Sequence, residues 1–94
     1  MESIIVTNNE KEMQFETVVG DDKAVMTYRW LHGDLAIMHT HVPEGGRGKG
    51  YSNALAKYTI AFARGKNIKL KVYCVFMQGY MKRHPENNDL ISTQ

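Results

Sequence analysis

The sequence is poor in the features that mark exported and membrane-bound proteins. Its 94 residues include a single cysteine, Cys74, which excludes a disulfide within the chain. One thiol among six methionines is typical of a reducing compartment, so we expect a cytoplasmic protein. Apolar runs fall well short of the roughly 20 residues that a membrane-spanning helix requires. The first residues also lack the basic segment of a signal peptide, and we expect no membrane partner.

Proline is also scarce, and neither sign of charge dominates the chain. Two prolines, 43% hydrophobic residues and 23% charged residues are ordinary values for a globular protein, which argues against a disordered chain. A length of 94 residues predicts one domain over residues 1–94, because a chain this short cannot bury two independent cores.

Basic residues are unevenly distributed, although the formal net charge is only +2. They cluster in a glycine-rich loop and in the second half of the chain, at Arg47, Lys49, Lys66, Lys69, Lys71, Lys82 and Arg83. Such asymmetry is typical of nucleic-acid binding and also of binding to a small polyphosphate. The modest net charge favours the polyphosphate, so we expect no nucleic-acid partner and keep nucleic-acid binding as an alternative.

The first half of the chain alternates between strand patterns and short turns. The strand candidates are residues 4–6, 13–19, 24–31 and 35–42. Strands joined by such short turns pair antiparallel, so this half predicts a meander. In the last of these strands, alternation predicts one face with Leu35, Ile37, His39 and His41, and another with Ala36, Met38, Thr40 and Val42.

The second half changes to a helical period after Pro43. Apolar residues from 54 to 62 predict a helix that Ser52 caps at its start and Gly65 caps at its end. Residues 68–72 alternate as a strand, and 74–83 predict a short second helix. The polar tail at 87–94 is expected to be frayed and disordered. The fold class is therefore α+β: an antiparallel β-meander, then helix, strand and short helix.

The segment Gly45-Gly46-Arg47-Gly48-Lys49-Gly50 lies between a strand end and a helix start, where unpaired backbone N–H groups face outward. This is the usual position of an anion site, because glycines let phosphate approach the backbone and cations pair with it. The Ser or Thr of a Walker loop is missing after Lys49, and hairpin-linked strands exclude a dinucleotide fingerprint. The alternative is a loop whose glycines only turn the chain.

Several motifs resemble the smallest members of the GNAT superfamily of N-acetyltransferases over about Gln14 to Glu86. They are His39-Thr40-His41-Val42-Pro43, Arg47-Gly48-Lys49-Gly50, Cys74-Val75-Phe76 with Tyr80, and Lys82-Arg83-His84-Pro85-Glu86. The resemblance implies a compact GNAT-like fold that binds acetyl-CoA and transfers its acetyl group to an amine acceptor of unknown identity. We expect a monomer or weak dimer. A non-catalytic acetyl-CoA or CoA sensor, or an interaction module, remains the alternative.

The acetyl-CoA loop of the superfamily reads Arg or Gln, two residues, Gly, one residue, then Gly or Ala. Arg47 and Gly50 match this pattern, whereas Ser52 departs from it at the last position. The resemblance implies that the segment from Arg47 to Asn53 holds the pyrophosphate, with Gly48, Lys49 and Tyr51 among its residues. It also implies that the pantetheine lies along the strand that ends at Val42. Phe76 and Tyr80, after the last strand, are candidates to border the pantetheine, and the alternative for both is packing in the core.

His39 and Cys74 are the residues that match the family positions for chemistry. A histidine is suited to accept a proton near neutral pH, and a cysteine at a helix start can act as a nucleophile that carries the acetyl group transiently. The alternatives are a hydrogen-bonded sheet histidine and a buried structural thiol. His41 forms a His-x-His pair with His39, but no third ligand is evident, so we expect no metal.

Overall fold

The computed structural model describes residues 4–93, which form a five-stranded sheet with two α-helices. The strands are β1 (Thr7–Asn9), β2 (Gln14–Val19), β3 (Asp22–Leu31), β4 (Asp34–His41) and β5 (Leu70–Val72). The helices are α1 (Tyr51–Lys66) and α2 (Val75–Arg83), and short 3-10 helices occupy Glu44–Gly46 and Pro85–Leu90.

The sheet follows chain order, and only its last pair of strands is parallel. β1 to β4 form an antiparallel meander, and α1 connects β4 to the parallel strand β5 beside it. This arrangement confirms the predicted α+β fold, a meander followed by helix, strand and short helix. Crossing from one strand to a parallel neighbour requires a long connection, which α1 supplies.

One buried cluster joins the inward face of the sheet to both helices. Phe15 on β2, Met26 and Tyr28 on β3, and Leu55 on α1 are among its fully or almost fully buried members. The rings of Phe15 and Tyr28 are 4.8 Å apart between centroids, at a distance typical of aromatic pairs. The opposite face of the sheet carries polar side chains such as Glu16, as expected when the helices cover only one side.

A β-bulge in β4 overturns the strict alternation expected along this strand. Tyr28 pairs with Ile37 and Thr27 pairs with His39, so Met38 has no opposite residue on β3. Because of this extra residue, the side chains after Met38 point to the faces opposite to those expected from strict alternation. Leu35 and Ile37 therefore point into the core, but His39 and His41 do not share their face, and Thr40 lies on the inward side opposite Met26.

Both ends of α1 differ from the predicted caps. The residue before the helix is Gly50, at φ 88°, and no side chain caps this end, so Ser52 lies within the first turn. At the other end Asn67, at φ 55°, takes the left-handed cap position and its N–H donates to Ala63 and Arg64. Gly65 lies inside the helix. Asn is the residue other than Gly that best tolerates this conformation, which explains the shift.

The N-terminal strand is displaced from the one expected at residues 4–6. β1 begins at Thr7 and includes Asn8 and Asn9, which the sequence assigns to a turn. The phenol of Tyr28 donates to the Asn8 side chain at 2.7 Å, and the Asn9 amide donates to Glu16. These side-chain partners allow two asparagines to lie in a strand that their propensity disfavours.

The C-terminal segment is anchored, in contrast to the frayed tail expected at 87–94. Arg64 donates to both Asp89 oxygens, and Leu90 is only 5% exposed within the core. Leu70 forms an isolated parallel bridge with Ile91 at the edge of β5. Residue 94 lies outside the described residues. Leu90 accounts for the difference, because burying one large apolar side chain fixes the polar residues around it.

Candidate functional site

A groove opens where β4 ends, between the start of α1 and the start of α2. Its cavity volume is about 320 Å³. The lining consists of Val42, Gly46, Arg47, Gly48, Gly50, Tyr51, Ser52, Asn53 and Phe76. Residues distant in sequence thus meet here, and most of those predicted to bind a cofactor are among them. Lys49 and Tyr80, which belong to the same prediction, lie outside the lining.

Backbone N–H groups without acceptors are concentrated at this groove. In the loop, Gly46, Arg47 and Lys49 donate to carbonyls of the preceding turn. Among residues 4–93, the N–H groups of Gly48, Gly50, Tyr51, Ser52 and Asn53 have no hydrogen-bond acceptor. A helix start with no side-chain cap leaves such donors available for an anion, and the helix dipole adds partial positive charge there.

The glycines of the loop have different physical roles. Gly48 and Gly50 have φ values of 77° and 88°, which L side chains rarely adopt. Gly46 is buried, and a Cβ placed on it would lie 2.7 Å from Cγ1 of Val19, 3.1 Å from Tyr51 and 3.2 Å from Val42. Gly46 therefore allows two groove-lining side chains to pack closely against the loop.

Two cationic side chains lie in the same loop as these backbone N–H donors. Arg47 and Lys49 are exposed, and within residues 4–93 neither is paired with a carboxylate. The first helical residues, Tyr51, Ser52 and Asn53, are neutral. The start of α1 thus combines free N–H donors with unneutralised positive charge, which is an arrangement suited to a phosphate group.

β4 and β5 separate next to the groove. Their parallel pairing covers Leu35 with Leu70, Ala36 with Lys71, and Ile37 with Val72. At the end of this pairing, the Ile37 carbonyl accepts from the N–H groups of both Tyr73 and Cys74, at 2.9 and 3.1 Å. β4 continues to His41 while the chain after β5 turns into α2. The two strands consequently diverge, and an edge of β4 lies beside the groove.

Cys74 lies at the point of divergence, as the residue that precedes α2. It is 5% exposed, and its Sγ lies 3.0 Å from the Thr40 hydroxyl. Its carbonyl accepts from Gln78 N–H in the first turn of α2. The thiol therefore occupies the helix side of the sheet and is held against β4.

Comparison with known proteins agrees with this geometry. A family model described as GCN5-related N-acetyl-transferase matches residues 14–90, which is most of the chain. The chain belongs to the GCN5-related N-acetyltransferase family. This confirms the resemblance to the GNAT superfamily that its motifs indicate, and proteins with this fold generally use acetyl-CoA.

Relatives of similar length share much of the sequence. Protein NATD1 from Xenopus tropicalis is 31% identical over 86 residues, covering 88% of this chain and 79% of that protein. Protein NATD1 from Homo sapiens is 29% identical over 85 residues, covering 87% and 75%. The NMR solution structure of a GCN5-like protein from Staphylococcus aureus has a TM-score of 0.70 at 23% identity, covering 100% of this chain and 93% of that chain. This last likeness supports the fold alone.

In this GCN5-related chain, His39 does not lie with Cys74. Successive residues of a strand point to opposite faces, so Thr40 faces Cys74 and His39 projects from the open face of the sheet. His39 is exposed, with Thr27 as its neighbour across the strands. The two predicted catalytic residues are therefore close in the fold but separated by the β4 backbone.

The aromatic residues of α2 support the groove wall. Phe76 lines the groove, and the Tyr80 ring lies 6.3 Å from it and 4.3 Å from the His84 ring, between centroids. Burial raises the pKa of Tyr80 above its ordinary value, and the nearby charge of Glu86 adds to this effect. Tyr80 is thus a neutral phenol packed behind Phe76.

Residues 4–93 contain no group of three or more His, Cys, Asp or Glu side chains arranged to hold a metal ion. Within that range no helix combines the length and apolar character needed to cross a membrane. Three of the basic residues of the second half have local partners: Lys66 lies over the Phe62 ring, Lys69 donates to the Asp89 carbonyl, and Lys71 lies 4.0 Å from Asp34.

Two residues of the site are not evident from the sequence. Gly46 is important because it is buried against side chains of the groove. The sequence Gly45-Gly46 does not indicate which of the two glycines is closely packed. Thr40 faces Cys74 only because the bulge at Met38 inverts β4. Thr40 could have been noticed because it is next to the candidate His39 in sequence. Strict alternation, however, places its side chain on the face opposite to Leu35 and Ile37.

Proposed function

We propose that the protein is an N-acetyltransferase that binds acetyl-CoA in the groove and transfers acetyl to an amine acceptor. The observation that carries this proposal is the set of N–H groups at Gly48 and Gly50–Asn53 that have no acceptor among residues 4–93, with Arg47 and Lys49 in the same loop. We further propose that residues 1–94 act as a single cytoplasmic domain, as a monomer or weak dimer.

The loop fits a pyrophosphate in donor type, charge and space. The residues with the five N–H donors line a cavity of about 320 Å³, as does Arg47, and Lys49 lies next to this lining. Among residues 4–93 the lining contains no acidic side chain. A hydrogen bond to a charged group contributes about 1.5–3 kcal/mol, so several such bonds offset part of the cost of association. Arg47, Gly48, Lys49, Gly50, Ser52 and Asn53 are the residues we expect to hold the pyrophosphate.

The apolar walls fit the rest of the cofactor. Val42 and Phe76 both line the groove, and we expect both to contact the pantetheine, with Tyr80 packed against Phe76. Tyr51 lies at the loop and is our candidate contact for the adenine. These residues surround an elongated ligand on apolar surfaces while the polar loop binds its phosphates.

Bound acetyl-CoA supplies an acetyl group activated as a thioester. An amine that is acylated must lose a proton, and exposed His39 is the residue to which we assign its removal. Cys74, on the other side of β4, is the thiol to which we assign a transient carrier role. Its thiolate attacks the thioester carbonyl and CoA leaves as a thiolate; the amine then attacks the acetyl-cysteine, and the Cys74 thiolate leaves. The acceptor then approaches His39 from the open face of the sheet.

Charge substitution tests the cofactor site. We expect Arg47→Ala with Lys49→Ala to weaken acetyl-CoA binding about 2- to 30-fold at low salt, because each exposed ion pair with a phosphate contributes about 0.2–1 kcal/mol. The matched control is Lys11→Ala with Lys57→Ala, which removes the same charge from exposed positions away from the groove. Equal affinities of the two double variants, by calorimetry, would contradict the assignment.

Turnover tests the catalytic residues. Removing a general base typically lowers the rate by about 10²–10⁴, so we expect His39→Ala to lose most activity while exposed His41→Ala, from the same face, keeps it. Cys74→Ala should also lose activity, while both variants retain acetyl-CoA affinity. Full turnover by both His39→Ala and Cys74→Ala on an identified acceptor would refute this assignment.

A non-catalytic acetyl-CoA or CoA sensor is the second candidate function. It is favoured by one observation: His39 and Cys74 lie on opposite faces of β4, and Cys74 is 5% exposed. Acetyl-CoA binding without acetylation of polyamines, lysine peptides or arylamines would support the sensor. Acetylation of any of these amines that depends on His39 would support the enzyme.

A further inference from the structure

The hydrogen bond between Thr40 and Cys74 joins two elements that are far apart in sequence. The Thr40 hydroxyl on β4 and the Cys74 Sγ before α2 are 3.0 Å apart, which is short for a hydrogen bond that involves sulfur. Within residues 4–93, neither side chain has any other hydrogen-bonding partner. Each side chain is therefore the other's hydrogen-bonding partner within the described residues.

The pair lies close in sequence to two residues that line the groove, although neither Thr40 nor Cys74 is part of that lining. Val42 follows Thr40 by two positions along the same chain direction, and Phe76 follows Cys74 by two. Val42 and Phe76 both line the groove. Thr40 and Cys74 are thus near the groove in the chain, next to the point where β4 and β5 diverge after Ile37.

We propose that Thr40 is a positioning residue for Cys74, whose hydroxyl donates to Sγ and orients the sulfur toward the groove. The inference rests on the proposed role of Cys74 in the transfer. Nothing in the family resemblance assigns this hydroxyl a role; the inverted phase of β4 at Met38 brings it to the thiol.

The direction of the hydrogen bond follows from the chemistry of sulfur. A thiol is a weak donor and a weak acceptor, whereas a thiolate is a strong acceptor that has no proton to donate. In the reactive form, Thr40 must therefore donate. Cys74 is 5% exposed, so little water is available to solvate the charged sulfur, and the Thr40 hydroxyl takes its place.

Valine and serine at position 40 separate the hydroxyl from the shape of the side chain. Thr40→Val keeps the branched shape and removes the hydroxyl, and Thr40→Ser keeps the hydroxyl. Thr27→Val is the matched control, because Thr27 lies on a neighbouring strand with its side chain on the open face. If Thr40→Val does not fold, Thr40→Ala compared with Thr40→Ser makes the same comparison.

The single cysteine gives two readouts that require no turnover. Iodoacetamide can modify only Cys74, and we expect Thr40→Val to lower its rate constant about tenfold at fixed pH, since a hydrogen bond to a charged group contributes at least that factor. The ¹³Cβ signal of labelled cysteine should move in Thr40→Val. Thr40→Ser and Thr27→Val should stay close to the original protein in both. The unfolded proteins should all react at one rate.

Steady-state kinetics then connect the hydrogen bond to the reaction. We expect Thr40→Val to lower kcat with the KM for acetyl-CoA unchanged, and Thr40→Ser to restore kcat. An unchanged alkylation rate and ¹³Cβ signal in Thr40→Val, or failure of Thr40→Ser to restore them, would overturn the inference about Thr40 alone. Full turnover by Cys74→Ala would instead overturn the proposed role of Cys74, whatever the alkylation rates.

Discussion

Substituting Gly46 by alanine tests whether the groove wall is packed as tightly as the geometry indicates. The added Cβ would lie 2.7 Å from Cγ1 of Val19 and 3.2 Å from Cγ1 of Val42. Both neighbours are β-branched and stiff at χ1, so neither can rotate away without leaving its preferred rotamer. Overpacking of this kind costs about 1–3 kcal/mol, and a domain of this size loses roughly 4–8 °C in Tm per kcal/mol.

Gly45→Ala is the control, because a Cβ at Gly45 meets no atom within 4 Å. Both substitutions restrict the unfolded chain equally, so the difference between their unfolding free energies measures the clash in the folded protein. We expect Gly45→Ala to stay within about 0.5 kcal/mol of the original protein in guanidinium unfolding. Gly46→Ala should also weaken acetyl-CoA binding, since Val42 and Tyr51 line the groove. A loss below about 0.5 kcal/mol for Gly46→Ala would refute the packing argument.

Three further predictions concern the C-terminal half. Leu90→Ala should lower the unfolding free energy by about 2–5 kcal/mol, because Leu90 is 5% exposed, whereas a frayed tail would leave urea unfolding unchanged. Because the pKa of Tyr80 is raised, its stabilising contribution is intact below the ordinary tyrosine pKa and is lost as pH rises through the raised value. Tyr80→Phe should remove this alkaline loss of stability. An alkaline unfolding profile identical to that of the original protein would contradict this prediction. The hydrogen bond from Arg64 lowers the pKa of Asp89, so this anchor should persist as pH falls below the ordinary carboxyl pKa and be lost as pH falls through the lowered value. Arg64→Ala should therefore speed amide exchange at Ser92 near neutral pH, and unchanged exchange would contradict the anchor.

The loop and the helix after it could be predicted because their signals are local. Glycines and cations between a strand pattern and a helical period identify an anion site without knowledge of the rest of the chain. The meander could be predicted for the same reason, since Gly20 and Gly33 lie in short turns between strands.

The partners of the site residues could not be predicted, because they depend on one extra residue in β4. Alternation along a strand contains no sign of a bulge, and Met38 is as acceptable in a regular strand as in an irregular one. The sequence therefore predicts His39 on the same face as Leu35 and Ile37, and the structure has Thr40 on that face instead. The anchored tail was missed for a related reason: a single buried Leu90 outweighs the polar residues around it.

The most direct test of the account is a titration of the ¹⁵N-labelled protein with acetyl-CoA, followed by amide chemical shifts. Five N–H groups of residues that line the groove have no acceptor among residues 4–93: those of Gly48, Gly50, Tyr51, Ser52 and Asn53. We predict saturable shifts concentrated at these amides, which weaken in the double variant Arg47→Ala, Lys49→Ala. If no amide shifts at about millimolar acetyl-CoA, the binding free energy is weaker than about −4 kcal/mol. That result would contradict the proposal that this loop binds the cofactor.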